Sequence, residues 1–209
     1  FESIATPPGS SLSVNNFKGS NADDPASWHY HPEMELVYVN GGSGKRHIGN
    51  HISYYNDGDL ILIGANLPHF GFTDRLTENK SEVVIQVRED FLGPEFFEAP
   101  EMKSIKQLLN RSKQGIVFHG DTKNSVGEKM EALLEQSMMD RLISFIKILQ
   151  ELSESKDYTI LNVENVSLES RPQDTEHLDT IYSFVSNHFT SPISLEEISD
   201  KVSMTEQAF

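Results

Sequence analysis

The pattern of hydrophobic and polar residues changes character near residue 92. Before that point, short apolar runs alternate with turns rich in glycine, asparagine and aspartate. Residues 60–63, Leu-Ile-Leu-Ile, follow the turn Asn-Asp-Gly-Asp, and a bounded run of this kind is typical of a strand buried on both faces. Because such runs recur, they predict a small β-barrel or double-sheet jelly roll over residues 1–120, with a loosely held arm at its start.

The second half of the chain has the three-to-four-residue spacing of amphipathic helices. It predicts a short helix over residues 101–110 and one long helix, which begins at the capping box of Ser125 and Glu128 and ends near residue 152. Residues 121–154 therefore form a helical packing region. Residues 155–175 are polar and interrupted by Pro172, which predicts a linker, and residues 176–209 are again helical. The fold class predicted from both halves is α+β.

The last residues predict a short helix, a tight turn and the start of another helix. Ser194 and Glu197 form a second capping box, and Leu195, Ile198 and Val202 give the short helix an apolar face. Helix, turn, helix is the plan of a DNA-binding helix-turn-helix, whose second helix enters the major groove. The candidate DNA-binding residues at its start are Ser203, Thr205, Glu206 and Gln207.

Candidate chemistry is concentrated near residue 30, where His29 and His31 precede Glu35. On an unbroken strand these three side chains would project from one face, although Pro32 argues against an unbroken strand. Two imidazoles and a carboxylate suit a divalent metal or a polar ligand. The alternative is that they are only polar residues at the mouth of a barrel. His69 and Arg46 are further candidates for the same pocket, since Arg46 can donate hydrogen bonds to ligand hydroxyl groups.

Composition narrows the choice of partners. The formal net charge is -15, with 17 basic and 32 acidic residues, so this stretch of chain is a poor binder of nucleic acid or an anionic membrane. There is no cysteine, which excludes disulfides and thiolate metal sites and permits the cytoplasm. No apolar run is long enough for a membrane span. The chain stops at Phe209 in the middle of a helical pattern, so we expect it to be part of a longer protein.

Two motifs resemble those of the cupin family. The run from His29 through His31 and Glu35 to Gly41 is similar to the first cupin motif, and the run from Gly58 to His69 is similar to the second, without the usual Pro-x-Gly before the last histidine. In metal-binding cupins, the matching residues ligate one ion. The resemblance thus implies a cupin barrel (a double-stranded β-helix) and a divalent metal as a candidate cofactor. The ligand set it implies is His29, His31, Glu35 and His69.

The amino-acid sequences of both motifs, together with the start of a helix-turn-helix, more closely resemble those of AraC-type transcription regulators. That family implies a barrel that binds a small effector, often a sugar, and helices after the barrel that make a homodimer. It also implies a DNA-binding domain, of which residues 176–209 are a truncated start, so we expect DNA binding of the full-length protein and not of this stretch. The resemblance implies a cytoplasmic regulator without enzymatic activity. Two alternatives are a metal-dependent cupin enzyme, such as a dioxygenase or isomerase, and a non-catalytic sugar-binding or structural cupin.

Overall fold

The computed structural model describes residues 1–17, 28–70, 81–163, 177, 180–181, 184–185, 188–189 and 191–206. The chain divides into two compact units, Phe1–Leu168 and Glu169–Phe209. Within the described residues, no helix is both long enough and apolar enough to span a membrane.

The first unit contains two antiparallel sheets that face each other. The larger sheet has the strand order β1-β8-β3-β6-β9-β10, and the smaller sheet has the order β2-β7-β4-β5. The strands are β1 Ser13–Phe17, β2 Trp28–His29, β3 Glu33–Asn40, β4 Ser43–Ile48, β5 His51–Asn56, β6 Asp59–Ile63, β7 His69–Phe70, β8 Ser81–Arg88, β9 Ile116–Phe118 and β10 Tyr158–Ile160.

Strands β3 and β6 explain how the sheets pack, because both are buried on both faces. Met34, Leu36 and Tyr38 of β3 point away from the smaller sheet and pack with the helices. Val37 and Val39, which alternate with them, pack against residues of the smaller sheet. The predicted burial of residues 60–63 on both faces is confirmed, since all four side chains are buried. The space between the sheets is therefore filled by aliphatic side chains along its middle.

Three helices cover the outer face of the larger sheet: α1 Lys103–Ser112, α2 Gly120–Leu133 and α3 Met138–Glu154. Two short 3-10 turns, Phe96–Glu98 and Pro100–Met102, precede α1. One apolar cluster joins these helices to the sheet, with Ile105, Met130 and Phe145 as examples from each helix. The predicted α+β fold is confirmed as a mixture of helices and antiparallel sheet.

The prediction of one long helix from residue 125 to about 152 is wrong. Helix α2 starts earlier, at Gly120, so Ser125 lies inside it, and the helix ends at Leu133. Ser137 then caps α3, because its hydroxyl oxygen accepts from the amide of Asp140. The guanidinium of Arg141 donates to the carbonyl oxygens of Leu133 (2.8 Å) and Leu134 (2.7 Å), which satisfies the end of α2. Both sides of the break are thus capped.

Part of the predicted linker is ordered within the first unit. Residues 158–160 form β10, which pairs with β9 at the edge of the larger sheet. Just beyond it, the side chain of Asn162 donates to the carbonyl oxygens of Ile48 (3.2 Å) and Gln114 (3.0 Å). Its amide oxygen accepts from the amide of Asn50 (3.0 Å), so this residue ties the end of the unit to the β4–β5 turn.

In the second unit, helix α4 spans Leu195–Lys201. The predicted capping box is present, since Ser194 accepts from the amide of Glu197 and the Glu197 carboxylate accepts from that of Ser194. Leu195 is wrong as an inward position, because it is half exposed, whereas Val202 is buried. The predicted turn follows α4: Ser203 has a φ of 55°, and Met204 donates to the carbonyl of Ser199. The described residues of the preceding predicted helix, His177, Thr180, Ile181, Phe184, Val185 and His188, are helical.

Candidate functional site

Four of the five candidate pocket residues meet at one end of the space between the sheets. His29 on β2 lies directly opposite His69 on β7 in the smaller sheet. Glu35 lies on β3 of the larger sheet and faces inward, in register with Val37 and Val39. Ligand atoms of His29, His31 and His69 all lie within 4.8 Å of one another.

His29, His31 and Glu35 do not lie on one continuous strand. Pro32 separates β2 from β3, and the two strands belong to different sheets. His31 lies in the connection between them. The three side chains converge because the chain crosses from one sheet to the other, and not because they alternate along one strand.

Glu35 and His31 form the charged centre of the cluster. The Nε2 atom of His31 lies 3.2 Å from the carboxylate of Glu35, and its Nδ1–H donates to the carbonyl oxygen of Glu33 (3.0 Å). Burial lowers the pKa of His31, but the hydrogen bond and charge of Glu35 outweigh it, so the pKa is raised. Burial in turn raises the pKa of Glu35, while the hydrogen bond from His31 and the charge of His69 bring it down to about 2. A charged pair is therefore the form that this geometry favours.

His69 has the opposite character. It is 1% exposed, and burial lowers its pKa to about 4 because the nearby Glu35 charge offsets the lost hydration only in part. Its Nδ1–H donates to the carbonyl oxygen of Leu67 (2.9 Å), which leaves the lone pair on Nε2. Among the described residues, that buried Nε2 has no hydrogen-bond partner, and it lies 3.7 Å from the Glu35 carboxylate. Two electron-rich atoms thus face each other.

Two residues at this end were missed by the sequence analysis. Gln86 on β8 pairs with Glu35 across the larger sheet, and its amide donates to the carboxylate at 2.7 Å. The signal was a polar residue inside the apolar run Val-Val-Ile-Gln-Val. Glu2 in the N-terminal arm places its carboxylate 3.0 Å from Nε2 of His29, and its amide donates to the carbonyl of Tyr30. Nothing in the local sequence around Glu2 indicates this contact.

Arg46 lies apart from the histidines. Its guanidinium is paired with Asp59, which is opposite Val39 at the far end of β3. Val39 is four residue steps along the strand from Glu35, so the two ends are about 13 Å apart. The candidate DNA-binding residues Ser203, Thr205 and Glu206 are exposed in the second unit, and Gln207 lies outside the described residues.

The residues at the histidine end fit a divalent metal ion. Both His31 and His69 donate Nδ1–H to backbone carbonyl groups, which is the outer contact that normally orients a metal-bound histidine. Their Nε2 atoms then face Glu35, which Gln86 holds in place. Nitrogen and carboxylate ligands of this kind suit zinc, iron, nickel or manganese. The unpartnered Nε2 of His69 is the atom that a cation would satisfy.

Comparisons with known proteins give remote structural likenesses. No protein-family model matches the chain, and no curated protein does. Among solved structures, the AraC-like transcriptional activator CuxR matches with 8% identity over 95% of this chain and 69% of its own, at a TM-score of 0.48. Unsaturated fatty acid-bound ToxT from Vibrio cholerae matches with 14% identity over 97% of this chain and 72% of its own, at 0.42.

An enzyme is also among the matched structures. HEPD from Streptomyces albus, with 2-hydroxyethylphosphonate and Fe(II) bound, matches with 13% identity over 98% of this chain and 41% of its own, at a TM-score of 0.32. The matches thus include both an AraC-like regulator and an iron-binding protein. At these identities and scores the likeness does not decide between the two classes, and the site itself must carry the functional argument.

Proposed function

We propose that this chain is the effector-sensing and dimerising part of an AraC-type transcription regulator, and that the histidine end of the intersheet space is its ligand site. The observation that carries the proposal is the buried Nε2 of His69, which faces Glu35 and has no hydrogen-bond partner in the part of the chain that the structure describes. An unsatisfied buried polar atom lowers stability unless a ligand or water completes it. A site that needs a ligand in this way is suited to sensing one.

The second unit supports a regulator. Helix α4 has a complete capping box at its start, and its C-terminal turn has Ser203 in the left-handed region with the paired hydrogen bonds of a Schellman motif. Such a short helix with a sharp turn is what a helix-turn-helix requires before its recognition helix. Under this proposal, residues 176–209 are the start of the DNA-binding domain, and the remainder follows in the full-length protein.

A divalent cation is a candidate component of the site. His29, His31, His69 and Glu35 would hold it, and it would supply a positive centre for oxygen atoms of an effector. The chain's own residues prepare that position: His69 is neutral, Glu35 is ionised, and Gln86 fixes the carboxylate. His31 would release its Nε2 proton on metal binding, so that affinity would rise with pH.

Dimerisation would use the exposed part of α3. Met138, Met139 and Ile143 are 56%, 64% and 41% exposed, although the same helix buries Phe145 and Leu149 in the core. Apolar side chains exposed together near the start of one helix are suited to a helix-to-helix contact. An equilibrium ultracentrifugation comparison of the wild-type protein with Met139→Glu tests this part, and a monomeric wild-type protein would contradict it.

A DNA-binding assay on the full-length protein tests the regulator. The probe is the DNA upstream of its own gene, titrated with and without a panel of simple sugars and unsaturated fatty acids. We expect at least one compound to change DNA affinity by about fivefold or more, as allosteric coupling typically does. Glu35→Gln and His69→Gln should remove that change while leaving DNA binding in place. Failure of the full-length protein to bind DNA contradicts the proposal.

The second candidate function is a metal-dependent enzyme, which the cluster of three histidines and one glutamate favours. Elemental analysis of protein purified without chelator separates the two. Stoichiometric metal that is lost in His31→Ala and His69→Ala is a requirement of the enzyme hypothesis. A wild-type protein without metal excludes that hypothesis and leaves the metal-independent form of the sensor.

A further inference from the structure

A cavity lies at the other end of the space between the sheets, where α2 begins. Its volume is about 290 Å³, small for a ligand pocket. The smaller sheet contributes Arg46 and Tyr54, the larger sheet contributes Asp59 and Phe118, and α2 contributes Lys123. The hydrogen bonds and close contacts that join His29, His31, Glu35 and His69 involve none of these five residues. This cavity is therefore separate from the ligand site of the proposed function.

The cavity has a buried ion pair that is incompletely hydrogen-bonded. Arg46 is 8% exposed and Asp59 is 3% exposed, and the Arg46 Nε and Asp59 Oδ2 atoms are 3.2 Å apart. The two atoms are misaligned, so neither has a hydrogen bond with any residue that the structure describes, although another guanidinium nitrogen donates to the carbonyl of Tyr54 (3.1 Å). One buried donor and one buried acceptor are therefore left side by side. A hydroxyl group satisfies both, because it donates one hydrogen bond and accepts others.

The charges around the cavity argue against a charged ligand. The Asp59 carboxylate would repel an anion, and the Arg46 guanidinium would repel a cation. Lys123 is already engaged, since its ammonium group donates to the carbonyl oxygen of Asp57 (2.6 Å). At the N-terminus of α2, the Asp157 carboxylate lies against Gly120, in the position where a side-chain Cβ would clash. That carboxylate occupies the place where an anion would meet the helix dipole.

Three aromatic side chains form part of the remaining wall, beside Asn56, His119 and two glycines. Tyr54, Tyr55 and Phe118 line the cavity, and Tyr54 is 71% exposed at its rim. Aromatic rings with a few convergent polar groups are the usual lining of small-molecule sites. From this geometry we propose that the cavity is a second ligand site, which binds a neutral polyhydroxylated molecule whose hydroxyl group bridges Arg46 and Asp59.

Isothermal titration with xylitol, myo-inositol, glucose and ribose tests the proposal, with inorganic phosphate as the anionic comparison. We expect at least one of the four polyols to bind the whole chain with a Kd of about 1 mM or tighter, and phosphate to bind more weakly. Asp59→Asn should weaken the polyol by about tenfold, because it replaces a charged acceptor with an amide.

Tyr54→Ala is the variant that avoids a folding defect, because the side chain is mostly exposed. It should weaken binding by about fivefold through the loss of an aromatic wall. Ile52→Ala is the matched control, since Ile52 is 53% exposed on the same strand and does not line the cavity. Its affinity for the polyol should equal that of the wild-type protein.

His69→Gln distinguishes this proposal from the proposed function. Polyol binding that is unchanged in His69→Gln and weakened about fivefold in Tyr54→Ala places the ligand in this cavity, whatever the histidine end does. Polyol binding that fails in His69→Gln places the ligand at the histidine end and overturns the inference. No binding of any of the four polyols, or tighter binding of phosphate, also overturns it, because water would then be what completes the ion pair.

Discussion

The two ends of the intersheet space use the same apolar filling and differ in what their polar groups lack. At the histidine end, Glu35 accepts from His31 and Gln86, and the unsatisfied atoms among the described residues include Nε2 of neutral His69 and a carboxylate oxygen of Glu33. At the other end, the unsatisfied atoms are a donor on Arg46 and an acceptor on Asp59. A buried lone pair that faces a carboxylate favours a cation, whereas a donor beside an acceptor favours a neutral hydroxyl. Under the two proposals, one fold would therefore offer two chemically distinct sites.

The substitution expected to lower the free energy of unfolding most is Glu35→Ala. Replacement by Ala leaves the charged His31 and the amide of Gln86 without their buried acceptor. We expect the free energy of unfolding to fall by about 3–5 kcal/mol, as when one partner of a buried pair is removed. Urea unfolding measures it. Glu2→Ala is the control: the Glu2 carboxylate, half exposed, contacts His29 and should contribute about 1 kcal/mol or less. Equal losses in both variants would contradict the assignment of Glu35 as the centre of the cluster.

The convergence of His29, His31, Glu35 and His69 could be predicted because the resemblance to the two cupin motifs implies that these residues share one site. The path between them could not, since the sheet that each strand joins depends on pairing with strands far away in the chain. Gln86 was missed for the same reason: its contact with Glu35 follows from the β3–β8 register. The position of Arg46 depends on where β4 lies along the intersheet space, which spacing alone does not determine.

The helical half was predicted less accurately because apolar periodicity continues through the break between α2 and α3. The run of apolar residues gave no reason to stop at Leu133. The readable signal was Ser137 three residues before Asp140, which is an N-cap pattern. At the end of the second unit, by contrast, Ser194 and Glu197 were read as a cap and are one. Capping residues mark two of these helix starts, at Ser137 and Ser194, whereas the predicted capping box at Ser125 lies inside α2.

Protonation of Asp59, at the Arg46 end of the intersheet space, is expected to make the free energy of unfolding depend on pH. Burial raises the pKa of Asp59 to about 6 from 3.8, and the Arg46 charge offsets this only in part. Between these values the folded protein binds more protons than the unfolded chain, so this group makes the free energy of unfolding fall as the pH rises, until it levels off above about 6. The loss is up to about 3 kcal/mol.

The measurement is urea unfolding of the wild-type protein and Asp59→Asn from about pH 4 to pH 7. Other groups titrate in both proteins, so the difference between them isolates Asp59. We expect that difference to shift in favour of Asp59→Asn as the pH rises. A shift in the opposite direction would mean that the pairing with Arg46 outweighs burial. Asp59 would then resemble Glu35, whose pKa is lowered by its partners despite burial.

Zinc should distinguish the ends directly. If His69 and its neighbours hold a cation, Zn²⁺ at about one hundred times its Kd adds about 2.7 kcal/mol to the free energy of unfolding. The stabilisation should vanish in His69→Gln and persist in Asp59→Asn, because Asp59 lies at the far end. Urea unfolding with and without Zn²⁺ is the measurement. Stabilisation that depends on Asp59 would place the cation at the wrong end.

The smallest effect tests how the histidine end is held together. Gln86→Leu removes one hydrogen bond to the Glu35 carboxylate and keeps a side chain of similar size on β8. The free energy of unfolding should fall by about 1.5–3 kcal/mol, the usual contribution of a hydrogen bond to a charged group, offset in part by the gain in apolar burial.

The pKa of Glu35 should rise in the same variant, because a hydrogen bond that favours its charged form is lost. Carboxyl chemical shifts followed by NMR against pH report that rise, and Gln150→Leu, an exposed position on α3, should leave the titration of Glu35 unchanged. An unchanged titration in Gln86→Leu would mean that Gln86 does not help to keep Glu35 ionised, and that the histidines do so without it.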